Sequence, residues 1–257
     1  MTDVNELPVQ HKNLRLINEK LVDVAKLPPI VGYTEQQSLS LSRACMPLAH
    51  VIDDIVSYMS VAMMMTPDHP PNDLTRDESA SIRLYTMEWS DGKTSLYTVL
   101  NRTLMEENRD KLRPWFKYLT LFLTALVKIP CAPSQVVWCG VAQNISDIFP
   151  CGTELVCWSF SSTTRTFNTL SSQLDSNDPA NKTLLSIEVF NARNISAHSN
   201  NQTEDELLLL PGTYMEVRSQ VHATSNLHII HLRQKMPKKM LLEPPFPGIF
   251  RRVDISI

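Results

Sequence analysis

Between Pro130 and Pro133 the hydrophobic period of the chain changes from three or four residues to two. A period near 3.6 buries one stripe of a helix, and a period of two buries one face of a strand. No all-helical and no all-β domain satisfies both patterns. The expected fold class is therefore α+β, with an N-terminal helical lobe packed on a β core of two small sheets. The 257 residues give room for one large domain or two small ones, with ample core.

The helical half is expected over residues 35–130. Leu48, Ile52, Ile55 and Met59 recur at helical steps, and Met63-Met64-Met65 ends that segment as core filling. The run Pro67 to Asp73 then forbids regular structure. Thr75-Arg76-Asp77-Glu78 is a capping box, which starts a helix with Ile82, Tyr85 and Trp89 on one face. Asp91-Gly92 closes it. Further helices are expected over Leu96 to Met105 and Lys111 to Lys128, the latter with Pro114 in its first turn. Residues 1–34, interrupted by Pro28-Pro29 and Gly32, read as a loosely packed irregular arm.

The strand-rich half is expected over residues 131–235. Strands are read at Gln135–Val141, Leu155–Phe160, Leu185–Val189, Leu207–Leu210, Met215–Val221 and Leu227–Leu232. The continuous run Leu207 to Leu210 suits a strand covered on both faces. A Pro-rich tail, residues 236–257, is expected to pack over the surface in extended form.

Composition excludes several classes. Apolar content of 43% and charged content of 20% describe a soluble globular chain. A net charge of −3 offers no electrostatic footprint for nucleic acid. The first six residues lack the basic and apolar regions of a signal peptide, and Leu119 to Val127 is too short to span a bilayer. No lipid-anchor signal closes the chain. A cytoplasmic protein without a membrane span is expected. The five cysteines, Cys45, Cys131, Cys139, Cys151 and Cys157, show no zinc-knuckle spacing and read as reduced thiols. The sequons at Asn194 and Asn201 read as chance matches. His198-Ser199 lacks the Gly-x-Ser-x-Gly of a hydrolase, and His228 and His231 read as strand residues, so no metal is expected.

Three segments of the second half carry chemistry. They are Val136-Val137-Trp138-Cys139-Gly140-Val141, then Phe160-Ser161-Ser162-Thr163-Thr164, then Glu204-Asp205-Glu206 running into Leu207-Leu208-Leu209-Leu210-Pro211-Gly212-Thr213. Singly they could be a buried strand, a strand end whose hydroxyls satisfy the backbone, and a solvated acidic loop. In this order and spacing they resemble the Arg–Ser–Glu signature of the arginine-specific mono-ADP-ribosyltransferases, the vertebrate ecto-enzymes and related bacterial toxins. Leu74 to Glu78, Leu84 to Trp89 and Pro114-Trp115-Phe116 resemble that family's helical lobe. The likeness covers about residues 35 to 235.

The resemblance implies transfer of ADP-ribose from NAD, with NADP as an alternative, to arginine side chains of a protein acceptor, with nicotinamide released. It implies an NAD cleft between the sheets and no metal. Glu206 would hold the ribose 2′-hydroxyl and stabilise a transition state resembling that of glycoside hydrolysis. Glu204 would polarise the acceptor guanidinium, whose very high pKa demands help. Ser162 would orient Glu206 and contact the ribose, supported by Thr163 and Thr164. Cys139 and Gly140 stand where the family has an arginine and a glycine that bind the dinucleotide. A thiol cannot make an arginine's charged, bidentate contact, and Arg165, just after the second segment, is the candidate replacement. The alternatives implied are a catalytically degenerate relative that binds NAD or a protein, and an NAD glycohydrolase.

Overall fold

The structure, a computed structural model, describes residues 14–18, 27–35, 39–90, 92–141, 143–167, 170, 182–224 and 227–243. The helices are α1 (Leu41–Cys45), α2 (Ile55–Met65), α3 (Arg76–Thr86), α4 (Leu96–Leu104) and α5 (Phe116–Lys128). The strands are β1 (Ile17–Asn18), β2 (Gln135–Val141), β3 (Glu154–Cys157), β4 (Ser161–Thr164), β5 (Lys182–Val189), β6 (Arg193–Asn194), β7 (Glu206–Leu209), β8 (Thr213–Thr224) and β9 (Leu227–Lys235). The α+β class and the helix-then-strand order stand. Among the described residues no helix is long and apolar enough to cross a membrane.

Helix α3 is the axis of the lobe. Thr75 accepts from the backbone of Glu78, and the Glu78 carboxylate accepts from Thr75 N, so the capping box forms in full. Every residue from Glu78 to Thr86 is buried. Its polar side chains are therefore paired, as burial requires. Lys128 of α5 bridges both oxygens of Glu78 at 2.8 Å, and Tyr118 donates to the Ser81 carbonyl. Tyr85 of α3 stacks on Phe122 of α5 at 4.9 Å, and Phe160 packs against both rings at the lobe–sheet boundary. Asn101 of α4 grips the backbone of Phe160 from both sides, accepting from its N–H and donating to its carbonyl. This grip fixes where β4 begins.

Several expected elements shift for local reasons. The long helix expected through Leu48, Ile52, Ile55 and Met59 is broken into α1, a 3-10 turn over Met46–His50, and α2. Pro47 sits at the start of that turn, and Asp54 adopts a left-handed φ of 56° ahead of α2. Pro114 lies inside a 3-10 stretch, Arg109–Trp115, and α5 begins only at Phe116. Trp89 falls beyond the end of α3 and stacks flat on Tyr58 at 4.1 Å. The strand read over Leu155–Phe160 ends at Cys157 as β3, and after the Trp158 to Phe160 corner β4 begins at Ser161.

Among the described residues all nine strands join one hydrogen-bonded network, in the order β3-β8-β9-β5-β2-β4-β7-β6, with β1 also pairing to β2. The expected two separate sheets are not seen: among the described residues the strands form one network, which has two wings. They meet at a single residue pair, Trp138 with Thr164, where β2 and β4 run antiparallel. Beyond that pair the same edge of β2 is occupied by β1, through Ile17–Gly140 and Asn18–Val141. Two cores result. One lies between the helices and the β4/β7 wing and includes Phe160, Ile195 and Leu208. The other lies between the wings and includes Val137, Cys139, Leu185, Leu207 and Leu209. Strand β7 is covered on both faces, as its apolar run requires.

The described parts of the N-terminal arm are not loosely packed. Ile30 and Tyr33 are buried in the lobe core, and β1 is part of the sheet. Ile30 also bridges to Leu242, and Leu241 packs against the turn at Gly212. The remainder of the Pro-rich tail, from Pro244, lies outside the described residues.

His198 ties the loop before β7 to the lobe. It is fully buried, with Nδ1 2.9 Å from Ser79 Oγ and Nε2 3.1 Å from Asn72 Oδ1. Burial, then the nearby Arg83 charge, lowers its pKa to about 4 from an ordinary 6.5. The folded chain thus keeps His198 neutral where the unfolded chain protonates it. This stability is fully present above pH 6.5 and is lost as pH falls toward 4. The melting-temperature advantage of the wild type over His198→Gln should therefore shrink steadily from pH 7 to pH ~4.5. A difference independent of pH would show that His198 does not titrate in this way.

Candidate functional site

The second and third chemistry-bearing segments lie side by side. Strands β4 and β7 run antiparallel with Thr164 opposite Glu206 and Ser162 opposite Leu208. Alternation along the strands places Ser162, Thr164 and Glu206 on one face, and Ser161, Thr163, Leu207 and Leu209 on the other. Thr163 donates to the Leu207 carbonyl at 2.7 Å and so stitches the two strands. Thr164 accepts from the Thr166 N–H and shapes the strand exit. The buried Ser162 hydroxyl has no hydrogen-bond partner among the described residues. It stands diagonally across from Glu206, and such an unpaired group costs free energy unless something occupies it.

What Glu206 binds is Arg15. The guanidinium donates from Nε to Oε1 at 3.2 Å and from Nη2 to Oε2 at 2.9 Å, a bidentate fork. Nη2 also reaches Glu204 Oε2 at 3.2 Å, and Nη1 donates to the Thr86 carbonyl at 2.5 Å. Glu88 stands 3.9 Å away at the rim, and the Tyr97 ring lies 5.8 Å from the guanidinium carbon. The Glu206 side chain is 0% exposed, Arg15 is 3% and Glu204 is 17%. Burial alone would lower the pKa of Arg15, but Glu206 and then Glu204 hold it above the ordinary value. The pKa of Glu204 is raised. Burial is the main cause, Arg15 opposes it, and Glu206 and Glu88 add to it. Glu204 is thus a stronger base than a solvated glutamate, and Asn201 orients it through a 3.0 Å bond.

Sequence reasoning missed Arg15, because residues 1–34 were read as an arm. The available signal was Leu14-Arg15-Leu16-Ile17, a charge bracketed by apolar residues. Arg165, the expected source of a replacement charge, turns elsewhere. It grips Asp205 with a bidentate fork and holds the loop between the two glutamates.

The expectation for Cys139 is corrected. Trp138 pairs with Thr164, so Trp138 and Gly140 share the face of the glutamate site and Cys139 points to the other. Cys139 is 0% exposed among Val137, Val141, Leu185 and Leu207, and burial, with a smaller contribution from Cys157, pushes its thiol pKa far up. It is an inert core residue in this structure. Gly140 lies between Leu184 of β5 and Ile17 of β1, so β1 covers the edge where a ligand was expected to approach.

No family model and no curated protein matches the sequence. Solved structures do match. ADP-ribosyltransferase HopU1 of Pseudomonas syringae is 22% identical, with 78% of this chain and 90% of that one covered at a TM-score of 0.53. Vis, an ADP-ribosyltransferase toxin from Vibrio splendidus, is 16% identical, with coverages of 81% and 92% at 0.51. The Clostridium limosum C3 exoenzyme is 13% identical, with coverages of 80% and 100% at 0.50. At these identities the likeness is one of architecture: the chain has the ADP-ribosyltransferase fold.

The placement of Cys139 has a direct consequence. Cys139→Arg would bury a charge in an apolar core with no partner, at a cost of several kcal/mol. The variant should melt well below the wild type and bind NAD no more tightly. An unchanged melting temperature with about tenfold tighter NAD binding would place this side chain in the cleft after all.

Proposed function

We propose that the chain transfers ADP-ribose from NAD to the guanidinium of a protein arginine and releases nicotinamide. The observation that carries this reading is the convergence of Glu206 and Glu204 on one guanidinium. The site already solves the problem of holding an arginine between two carboxylates of unlike burial. The ADP-ribosyltransferase fold supports the donor half of the reaction.

In the proposed reaction the bond between nicotinamide and ribose breaks, with its electron pair leaving on nicotinamide. A nitrogen of the acceptor guanidinium bonds to the ribose carbon and gives up a proton. Glu206 holds the ribose 2′-hydroxyl and opposes the positive charge that grows on the sugar. The unpaired hydroxyl of Ser162 fits a role in orienting that carboxylate or the ribose. Glu204, at the rim and with a raised pKa, polarises the acceptor and takes its proton. Thr163 and Thr164 hold the strand that presents Ser162. NADP remains a candidate donor.

A silent relative that binds NAD or a protein is the second reading, favoured by the absence of a cation at position 139. Labelled NAD with a polyarginine acceptor separates the possibilities, yielding labelled protein, free ADP-ribose from a glycohydrolase, or neither. Two substitutions then test the roles. Glu206→Gln keeps the shape and removes the charge, so turnover should fall by roughly a hundred- to a thousandfold; near-normal turnover would remove Glu206 from the mechanism. Glu204→Gln should suppress labelling of arginine more than hydrolysis of NAD, and equal loss of both would mean that the acceptor role lies elsewhere.

A further inference from the structure

Arg15 occupies the place that the reading above gives to the acceptor, and the inference here rests on that reading. Its fork takes both oxygens of Glu206, its Nη2 also reaches Glu204, and it leaves Glu206 sealed from solvent. A guanidinium bound there cancels the charge that a cationic ribose would need. The Ser162 hydroxyl, diagonally across the β4/β7 pair from Glu206, is left without a hydrogen-bond partner among the described residues.

Arg15 is carried by the described segment 14–18. The segment is one 3-10 turn, Leu14–Leu16, and the two residues of β1. Among the described residues β1 pairs only with Gly140 and Val141 of β2. Among the described residues, Arg15 anchors the segment through its fork, and Leu16 packs beside Leu170 and Leu184. Withdrawal of Arg15 into water would strand a buried carboxylate, which is costly. Exchange for another guanidinium would not, because the incoming group restores the same fork. A lysine ammonium brings the charge without the fork.

We infer that residues 14–18 are a built-in pseudo-acceptor strap, in which Arg15 fills the guanidinium site until a guanidinium-bearing acceptor displaces it. The strap keeps the site shut in the absence of acceptor and selects guanidinium over ammonium for opening.

The full-length wild type, Arg15→Ala and Arg15→Lys test this by two measurements. The first is binding of agmatine, a small free guanidine, by calorimetry without NAD. The apparent affinity of a site that is mostly self-occupied is reduced by its open fraction, so both variants should bind agmatine about tenfold or more tighter than the wild type. The second is turnover of NAD at low agmatine, which should rise by a similar factor. Arg15→Lys carries the test if the alanine variant does not fold. Equal agmatine binding in all three proteins overturns the strap. So does a fall in turnover in a variant that stays folded, because Arg15 would then be a working part of the site. Failure of the enzymatic reading looks different: none of the proteins turns over NAD, while the variants still bind agmatine more tightly.

Discussion

A guanidinium and a carboxylate removed from water each cost several kcal/mol, and they are tolerated only in one another's company. Arg15 and Glu206 are such a pair, with side chains 3% and 0% exposed. Their meeting brings together the turn ahead of β1, the start of β7 and the carbonyl end of α3, where Thr86 accepts from Arg15. The geometry around them follows from this need. Asn200 N–H donates to the Thr86 hydroxyl, and Asn201 bonds Glu204, so the loop between β6 and β7 is tied to α3 at the point where Arg15 arrives.

The same accounting explains α3. A helix rich in polar residues stands at the centre of a lobe, and several of its buried polar side chains have partners on other elements, while the Ser81 hydroxyl turns back to the Glu78 carbonyl within α3. Glu78 has Lys128, Ser79 has His198, and Thr66 accepts from Arg83. Partners this specific fix the register between lobe and sheet more sharply than apolar packing does. The Asn101 grip on Phe160 adds a backbone constraint at the start of β4. Ser162 is therefore positioned by the α4 grip two residues upstream and by the pairing of β4 with β7, and not by a hydrogen bond of its own hydroxyl.

How much of this is legible in the sequence depends on how local each determinant is. The capping box at Thr75 is complete within four residues and can be read directly. The β4/β7 site is legible because Phe160 to Thr164 and Glu204 to Glu206 each sit at a strand boundary marked by composition. Arg15 is not legible, because its partner lies 191 residues away and it sits in a 3-10 turn, Leu14–Leu16, with no period of its own. The side Cys139 faces is not legible either. A strand's face is set by its register against its neighbours, and one step reverses it. The segment Val137 to Val141 is a strand under either assignment, so only the pairing of Trp138 with Thr164 decides.

That pairing also couples the strap to the cleft. Strand β2 has β5 along one full edge, while its other edge is divided between β4 at Trp138 and β1 at Gly140 and Val141. The residues that deliver the guanidinium to Glu206 are thus continuous with the residues that cover the open half of that edge. If Arg15 leaves its carboxylates, β1 loses its main anchor, and the backbone beside Gly140 is exposed in the same event. A glycine at the uncovered edge lets a ligand approach the main chain closely. The proposed acceptor site and the strand edge expected to meet the dinucleotide would therefore open together, through the one segment that carries Arg15.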